Sequence, residues 1–395
     1  MKIVAISASE VPSNTANSIQ VMKVCQAFTQ LSHDVTLIVP GAQPSNLPTF
    51  DLQQHYGLCV AFPVEWLSGS RRLFPWIAVR RARALSADLL YAWPVQSATL
   101  GLLAGMPVML EMHDFPAGSF GPLWYRLFLR LPGKKRLLPI THALRRELDR
   151  RYRPALPDGQ VVIAPDGVDL ERYEHLPDPE PARRQLGLPP GLTVVCTGHL
   201  YAGRGADLFL TLAAKFPKTN FLWVGGRPQD VDNWRSRAAA ARLQNVTYTG
   251  FLPNERIPLY QAAADILLMP YERTVSTSSG GNTAEICSPM KMFEYMAARR
   301  PIVGADLAVL REVLTHEQNA LLVPLDDAGA LVAALERLRD DAPLCARLAQ
   351  QGGVDVQGYS WDERARRILS FLDQRLAAIG MALPPCGLVP EPIRS

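Results

Sequence analysis

Cysteine is scarce: six residues in 395 (Cys25, Cys59, Cys196, Cys287, Cys345, Cys386), widely scattered, with no pair at metal-binding spacing and no dense framework. That pattern excludes a disulfide scaffold, argues against a structural zinc and suits reduced thiols in a cytoplasm. Long apolar runs are lacking too. The most apolar stretch, residues 89–112, is interrupted by Pro94, Gln96, Ser97 and Pro107, so it reads as strand LLYAWP, helix QSATLGLLAG and strand PVMLEMHD, not as a membrane span. The opening MKIVAISASEVPSN turns polar too soon for a secretory leader, and the protein is expected to stay inside the cell. A formal charge of +4 is small for this length, which disfavours a nucleic-acid partner.

What is present is a core. With 48% hydrophobic and 20% charged residues, 395 residues suffice for two globular domains. Short apolar runs alternate with helical patterns: KIVAISA, DVTLIVP, DLLYAWP, PVMLEMHD, RLLPIT and VVIAPDG, then TVVCTGHL, FLWVGG, VTYTGF, DILLMP, PIVGAD and ALLVPL. This grammar predicts α/β architecture, with two Rossmann-like domains whose parallel sheets carry helices on both faces. Residues 175–192, HLPDPEPARRQLGLPPGL, hold five prolines and read as a linker followed by a short helix. We expect domains over 1–184 and 185–360 and an unassigned tail over 381–395. Ligands bind beyond the carboxyl ends of such strands, so the default site is a cleft between the two domains.

Residues 288–306, SPMKMFEYMAARRPIVGAD, read as a helix with Ser288 at the N-cap and Pro289 at the first position, running into a strand. Met292, Phe293 and Met296 share one face, and Lys291, Glu294 and Ala298 fall on another. Lys291 opposes the helix dipole in the first turn, at a cost of roughly 0.3–1 kcal/mol. Two partners fit: Glu294 three residues on, or a bound anion held by free N–H groups and the ammonium together.

Read in order, TGHLYAGRGADLFL, FLWVGG, TGFLPNERIPLYQAAADILLMPY and SPMKMFEYMAARRPIVGADLAVLREVL resemble the nucleotide-sugar domain of family 4 of the retaining (group 1) glycosyltransferases, which have the GT-B fold. In the first half, VPSNTANSIQVMKVCQAFTQLSHDVTLIVP, EMHDFP and VVIAPDGVDLERY are similar to that family. The closing YSWDERARRIL is similar to its last helices, which cross back to the first domain, here at about 360–380. The resemblance implies that Ser288, Pro289, Met290 and Lys291 face the donor's diphosphate and that Glu294 accepts from both ribose hydroxyls. It implies that Arg204, between Gly203 and Gly205, clamps phosphate, that His113 reaches the donor sugar, and that Gly225 and Phe251 edge the base site. Two departures stand out. The family's first glutamate would fall at Ile286, with Glu285 one place off, and its usual loop arginine is His199. Glu285 is either a sugar ligand or a solvated loop acid, and His199 a donor contact or a structural imidazole. Asn17 and Ser18 either cap the following helix or present N–H groups to phosphate.

The implied activity is transfer of a hexosyl-type sugar, with retention, from a nucleotide diphosphate sugar to a hydroxyl of a glycan or lipid-linked acceptor in cell-envelope glycoconjugate synthesis. No metal or other cofactor is expected, since fixed cations supply the charge. The rivals are a non-catalytic sugar-nucleotide-binding subunit and a sugar-nucleotide epimerase on the same fold. Residues 71–136 carry ten basic residues (Arg71, Arg72, Arg80, Arg81, Arg83, Arg126, Arg130, Lys134, Lys135, Arg136) against three acids, interleaved with Trp66, Phe74, Trp76, Trp124, Tyr125 and Phe128. Segments 66–83 and 124–136 therefore suit either an anionic membrane surface, making the protein peripheral on the inner face of the plasma membrane, or a solvated face over a normal core.

Overall fold

The computed structural model describes residues 1–43, 51–275 and 283–378. Two six-stranded sheets, parallel throughout, organise the chain. The first contains β1 (Lys2–Ile6), β2 (Asp34–Pro40), β3 (Val64–Leu67), β4 (Leu89–Ala92), β5 (Val108–Met112) and β6 (Lys135–Pro139), in the order β3-β2-β1-β4-β5-β6. The second contains β7 (Thr193–Thr197), β8 (Asn220–Val224), β9 (Val246–Tyr248), β10 (Ile266–Met269), β11 (Ile302–Ala305) and β12 (Leu321–Val323), in the order β12-β11-β10-β7-β8-β9. Central strands such as β4, β5 and β7 are buried along their whole length, because helices cover both faces. In each sheet the order reverses once, between β1 and β4 and between β7 and β10. The segment leaving β1 leads to a helix with Asn17 in its first turn, and the loops leaving β7 and β10 hold His199, Arg204 and Tyr271, so topology gathers candidate residues at two crevices.

The alternating pattern anticipates eleven of these strands. β3 is absent from it: an edge strand flanked by Pro63, carrying Glu65 and only half-buried, it has no sustained apolar run. VVIAPDG forms only an isolated bridge, Val161 to Leu137. The linker helix Pro179–Leu186 ends at Gly187 in the left-handed conformation and packs on the second half, where Arg183 bonds Ala263 O and Asp265. The expected boundary at 184/185 thus runs through an element that is attached to one side. The tail at 381–395, with Cys386, lies outside the described residues.

The helix Trp361–Ala378 returns to the first half, where Trp361, Ala365, Ile368 and Leu369 join Ile3, Phe28 and Tyr91 in one core cluster. The two crossings between the halves bond to each other: Val168 N–H donates to Tyr359 O at 3.1 Å and Trp361 N–H to Val168 O at 3.2 Å.

Two expected surface cations are interior. Lys135 and Arg136 lie on β6 and are buried; Lys135 Nζ donates to Phe128 O, Leu129 O and Leu131 O at 2.6–2.8 Å, closing the carboxyl end of the helix Gly121–Arg130. Phe74, Tyr125 and Phe128 are core residues as well. The exposed large apolar residues of this region are Leu73, Trp76, Leu103, Phe120 (70% exposed), Leu123 (62%) and Leu127. Arg71, Arg72, Arg80, Arg126, Arg130 and Lys134 are exposed beside them. Helices Phe74–Ala84 and Gly121–Arg130, which carry much of this surface, both pack on Val95–Leu103. Among the described residues no helix is long and apolar enough to cross a membrane.

Candidate active site

The helix Met290–Ala297 begins one residue later than its sequence suggests, with Pro289 at the N-cap and no side-chain cap. Ser288 is not the cap: its Oγ accepts from Asp166 N–H at 3.0 Å, a bond from the other half of the molecule. The first turn therefore keeps backbone N–H groups that helix geometry leaves without intrahelical partners. Lys291 stands in that turn with Nζ 4.9 Å from the Tyr271 ring centroid, close under Gly198. Among the described residues no carboxylate forms an ion pair with it, and Glu294 turns elsewhere.

Arg204 approaches the same ring from the β7 loop, donating from Nη1 to Tyr271 OH at 2.9 Å, with its guanidinium 5.1 Å from the centroid. The flanking glycines make this possible. Gly203 (φ +79°) and Gly205 (φ +80°) pass so close to Thr274 O and Pro270 O that a Cβ would lie 1.6 and 1.8 Å from those oxygens. The loop is thus pressed onto the segment that follows β10, and two cations converge on one aromatic ring.

One turn beyond Lys291, Glu294 accepts from Gln261 Nε2 at 2.9 Å, and Gln261 Oε1 accepts from Tyr173 OH at 2.8 Å. Burial raises the Glu294 carboxyl above its ordinary value, against the opposing pull of Gln261, Arg172 and Lys291. Gly225 (φ +119°) donates to Thr249 Oγ1 at 3.3 Å and bridges Gly250; Phe251 is exposed at the next edge, 6.0 Å from the His55 ring across the cleft. His199 crosses the cleft as well: Nε2 donates to Asn14 O at 3.0 Å, its ring stacks on Tyr201, and burial lowers its pKa. A neutral imidazole with one nitrogen bonded to protein is a weak substitute for an arginine.

The loop before the first helix corrects another expectation. The helix Ala16–Gln30 is capped by Thr15, whose side chain accepts from Ser18 N–H; Asn17 and Ser18 lie inside its first turn. Ser18 is fully buried with Oγ 2.5 Å from Tyr56 OH, which leaves its side chain no surface for phosphate, and Asn17 Nδ2 donates to Ser9 Oγ at 2.7 Å. Glu285 is exposed in a turn. Its neighbour Ile286 is buried in the core cluster of the first half, and its carbonyl accepts from Thr141 Oγ1 at 2.9 Å. The position of the missing glutamate is a plug between the domains.

Across the cleft, His113 follows β5. Its Nε2 lies 2.6 Å from Glu111 Oε1, and its side chain is 27% exposed whereas Glu111 is wholly enclosed. Glu111 also accepts from Arg364 Nη2 (2.9 Å), Gln20 Nε2 (2.5 Å) and Tyr91 OH. Burial alone would raise its pKa, but the charge of Arg364 and the bonds from His113 and Tyr91 bring it to about 2. Burial alone would lower His113; the bond and charge of Glu111 outweigh it and leave the imidazole above its ordinary value. Asp166 completes the group: burial pushes its carboxyl up to about 6, and Oδ1 has no hydrogen-bond partner among the described residues. Ligand atoms of Glu111, His113 and Asp166 lie within 4.8 Å of one another, a spacing a metal ion could use. With both Glu111 oxygens engaged and a guanidinium against one of them, the donor set fits a hydrogen-bonded charge network and does not fit a metal cage.

Gln261, Asp166 and Arg364 carry no signal in the sequence that marks them for the site. Tyr271 alone carried a signal, its place directly after the strand at the topological switch.

Residues 191–341 match the family model described as glycosyl transferases group 1, and residues 18–172 the model described as glycosyltransferase family 4. A 2-deoxystreptamine N-acetyl-D-glucosaminyltransferase of Streptomyces fradiae is 29% identical over 283 residues, 68% of this chain but only 64% of the length of that protein. A phosphatidyl-myo-inositol mannosyltransferase of Mycolicibacterium smegmatis is 24% identical over 362 residues, 88% of this chain and 87% of the other. The crystal structure of HepE from Anabaena in complex with UDP has the same fold, with a TM-score of 0.74 at 18% identity over 95% of this chain and 100% of that one. One model covers the half that carries Lys291 and Arg204, the other the half that carries His113, and the chain belongs to the group 1, family 4 glycosyltransferases.

Proposed function

We propose that the protein transfers a hexosyl-type sugar from a nucleotide diphosphate donor to an acceptor hydroxyl, with retention and without a metal. The observation that carries this reading is the convergence of Lys291 and Arg204 on Tyr271 at the start of the helix Met290–Ala297. Two cations and unpaired N–H groups offset a departing diphosphate, and fixed charges do so with no reorganisation during the reaction. Glu294, held by Gln261, offers a carboxylate to ribose hydroxyls, while His113 faces the sugar from the other domain. The acceptor attacks on the leaving group's own face and a phosphate oxygen takes its proton. A lipid-linked acceptor is supported by the relative named a phosphatidyl-myo-inositol mannosyltransferase.

The test is donor turnover with a panel of UDP-, GDP-, ADP- and TDP-sugars, in buffer containing a chelator. Lys291→Ala and Glu294→Ala each lower turnover at least tenfold, about 1.4 kcal/mol or more of transition-state stabilisation. Wild-type rates in both variants refute the assignment, and loss of activity with the chelator refutes the metal-free part. A non-catalytic subunit would bind nucleotide and release none; an epimerase would interconvert donors without acceptor.

The surface bearing Trp76, Phe120, Leu123 and Leu127 among Arg72, Arg80, Arg126 and Arg130 supports a second part of the proposal, attachment to an anionic membrane. Each basic residue contributes about 1 kcal/mol near such a surface. The chain sediments with anionic liposomes and leaves them in high salt; equal binding to neutral liposomes contradicts this.

A further inference from the structure

Arg364 comes from the helix that returns to the first half, and its side chain is only 3% exposed. It makes three kinds of contact. Nη2 lies 2.9 Å from Glu111 Oε1, the oxygen that also receives His113 Nε2. Nε donates to Pro165 O at 2.8 Å and Nη2 to Ala164 O at 3.2 Å. The next residue in the chain is Asp166, whose N–H is held by Ser288 Oγ two residues before the helix that carries Lys291. One guanidinium therefore fixes the carboxylate behind His113 and the backbone on which the entry to the lysine helix leans.

We propose that Arg364 is a positioning residue for sugar transfer, setting His113 through Glu111 and the entry to the Lys291 helix through the backbone of residues 164–166. This rests on the transferase reading above. The physical reason lies in the fork of the guanidinium: it bonds a carboxylate and two carbonyls at once, which an ammonium cannot copy from a single point. With Nε2–H aimed at Glu111, the imidazole has one tautomer and leaves Nδ1 for a ligand. Without Arg364, Glu111 shares a buried space with Asp166 and loses the charge that keeps it ionised, so the aim of His113 is no longer fixed. The groups facing His113 are Glu111, Asp166 and Arg364; those facing Glu111 from other elements are Tyr91, Gln20 and Cys25.

The test uses the full chain with Arg364→Lys and Arg364→Met, comparing melting temperature, UDP and GDP affinity, donor kcat and KM, and the pH profile of kcat. The expected result is nucleotide affinity and donor KM within about twofold of wild type, kcat lowered at least tenfold in both variants, and a shifted pH limb. Folded variants with wild-type kcat and an unmoved profile overturn the proposal, as does a kcat loss matched by an equal loss of affinity. Failure of both variants to fold also overturns it, since Arg364 then serves the fold alone. A wild-type chain that turns over no donor sinks the transferase reading instead, and this is decided before any variant is compared.

Discussion

On one side of the cleft, Lys291 and Arg204 face a tyrosine ring, and no carboxylate pairs with Lys291 among the described residues. On the other, Arg364 and His113 are packed against Glu111 and Asp166, so cations and anions nearly cancel. Both corners lie at the ends of parallel strands, and both have perturbed or crowded charges. They differ in how Lys291 and Glu111 are met: Glu111 is held by Arg364 and His113, whereas among the described residues no carboxylate forms an ion pair with Lys291, whose charge has the sign an incoming anion needs. A perturbed group alone does not distinguish the two cases, because His113 and Glu294 are both shifted.

The largest effect that separates them is on stability. Glu111→Ala leaves Arg364 buried without its carboxylate and is expected to destabilise the fold by about 3–5 kcal/mol in urea unfolding. A loss under about 1 kcal/mol would mean the Glu111–Arg364 corner is not internally balanced.

Next is a pH effect at Asp166. Its folded-state value of about 6 lies above the ordinary 3.8, so protonation favours the folded state; that contribution is whole below about 4 and gone above about 6. Asp166→Asn should therefore raise stability by about 1–3 kcal/mol at pH 8, with the gain shrinking as pH falls through this window. Glu111 works in the opposite sense. Its value of about 2 lies below the ordinary 4.5, so its contribution is present above pH 4.5 and is lost as pH falls towards 2. A gain at pH 8 that persists unchanged at pH 4 would contradict the assignment to Asp166.

The smallest effect belongs to Lys291. Lys291→Met removes a cation that opposes the helix dipole, so the free protein should gain roughly 0.3–1 kcal/mol or stay level. In the same thermal scans, the rise in melting temperature with UDP or GDP should vanish. A marked loss of stability in the free variant would show that Lys291 already has an internal partner.

The sheets were legible because fully buried parallel strands are written as unbroken apolar runs, as in β4 and β10; β3 was not, because an edge strand with Glu65 has no such run. Lys291 was legible as an anomaly of local helix physics, and the family motifs around it led to Arg204 and Glu294. Helix starts were less so. Ser288 and Ser18 have the composition of caps or phosphate contacts, yet one hydroxyl serves Asp166 in the other domain and the other is sealed against Tyr56. Lys135 and Arg136 counted as surface charge because their burial depends on β6 being a strand whose neighbours offer carbonyls. The Glu111–Arg364 pair joins a strand to a helix far along the chain, and no local pattern announces it.

The most direct measurement is a crystal structure of the chain with a bound nucleotide diphosphate. The expected result is a pyrophosphate against Lys291 Nζ, Arg204 and the first-turn N–H groups of the helix Met290–Ala297, with the ribose hydroxyls on Glu294. A nucleotide bound elsewhere, with water alone beside Lys291 and Arg204, would contradict it.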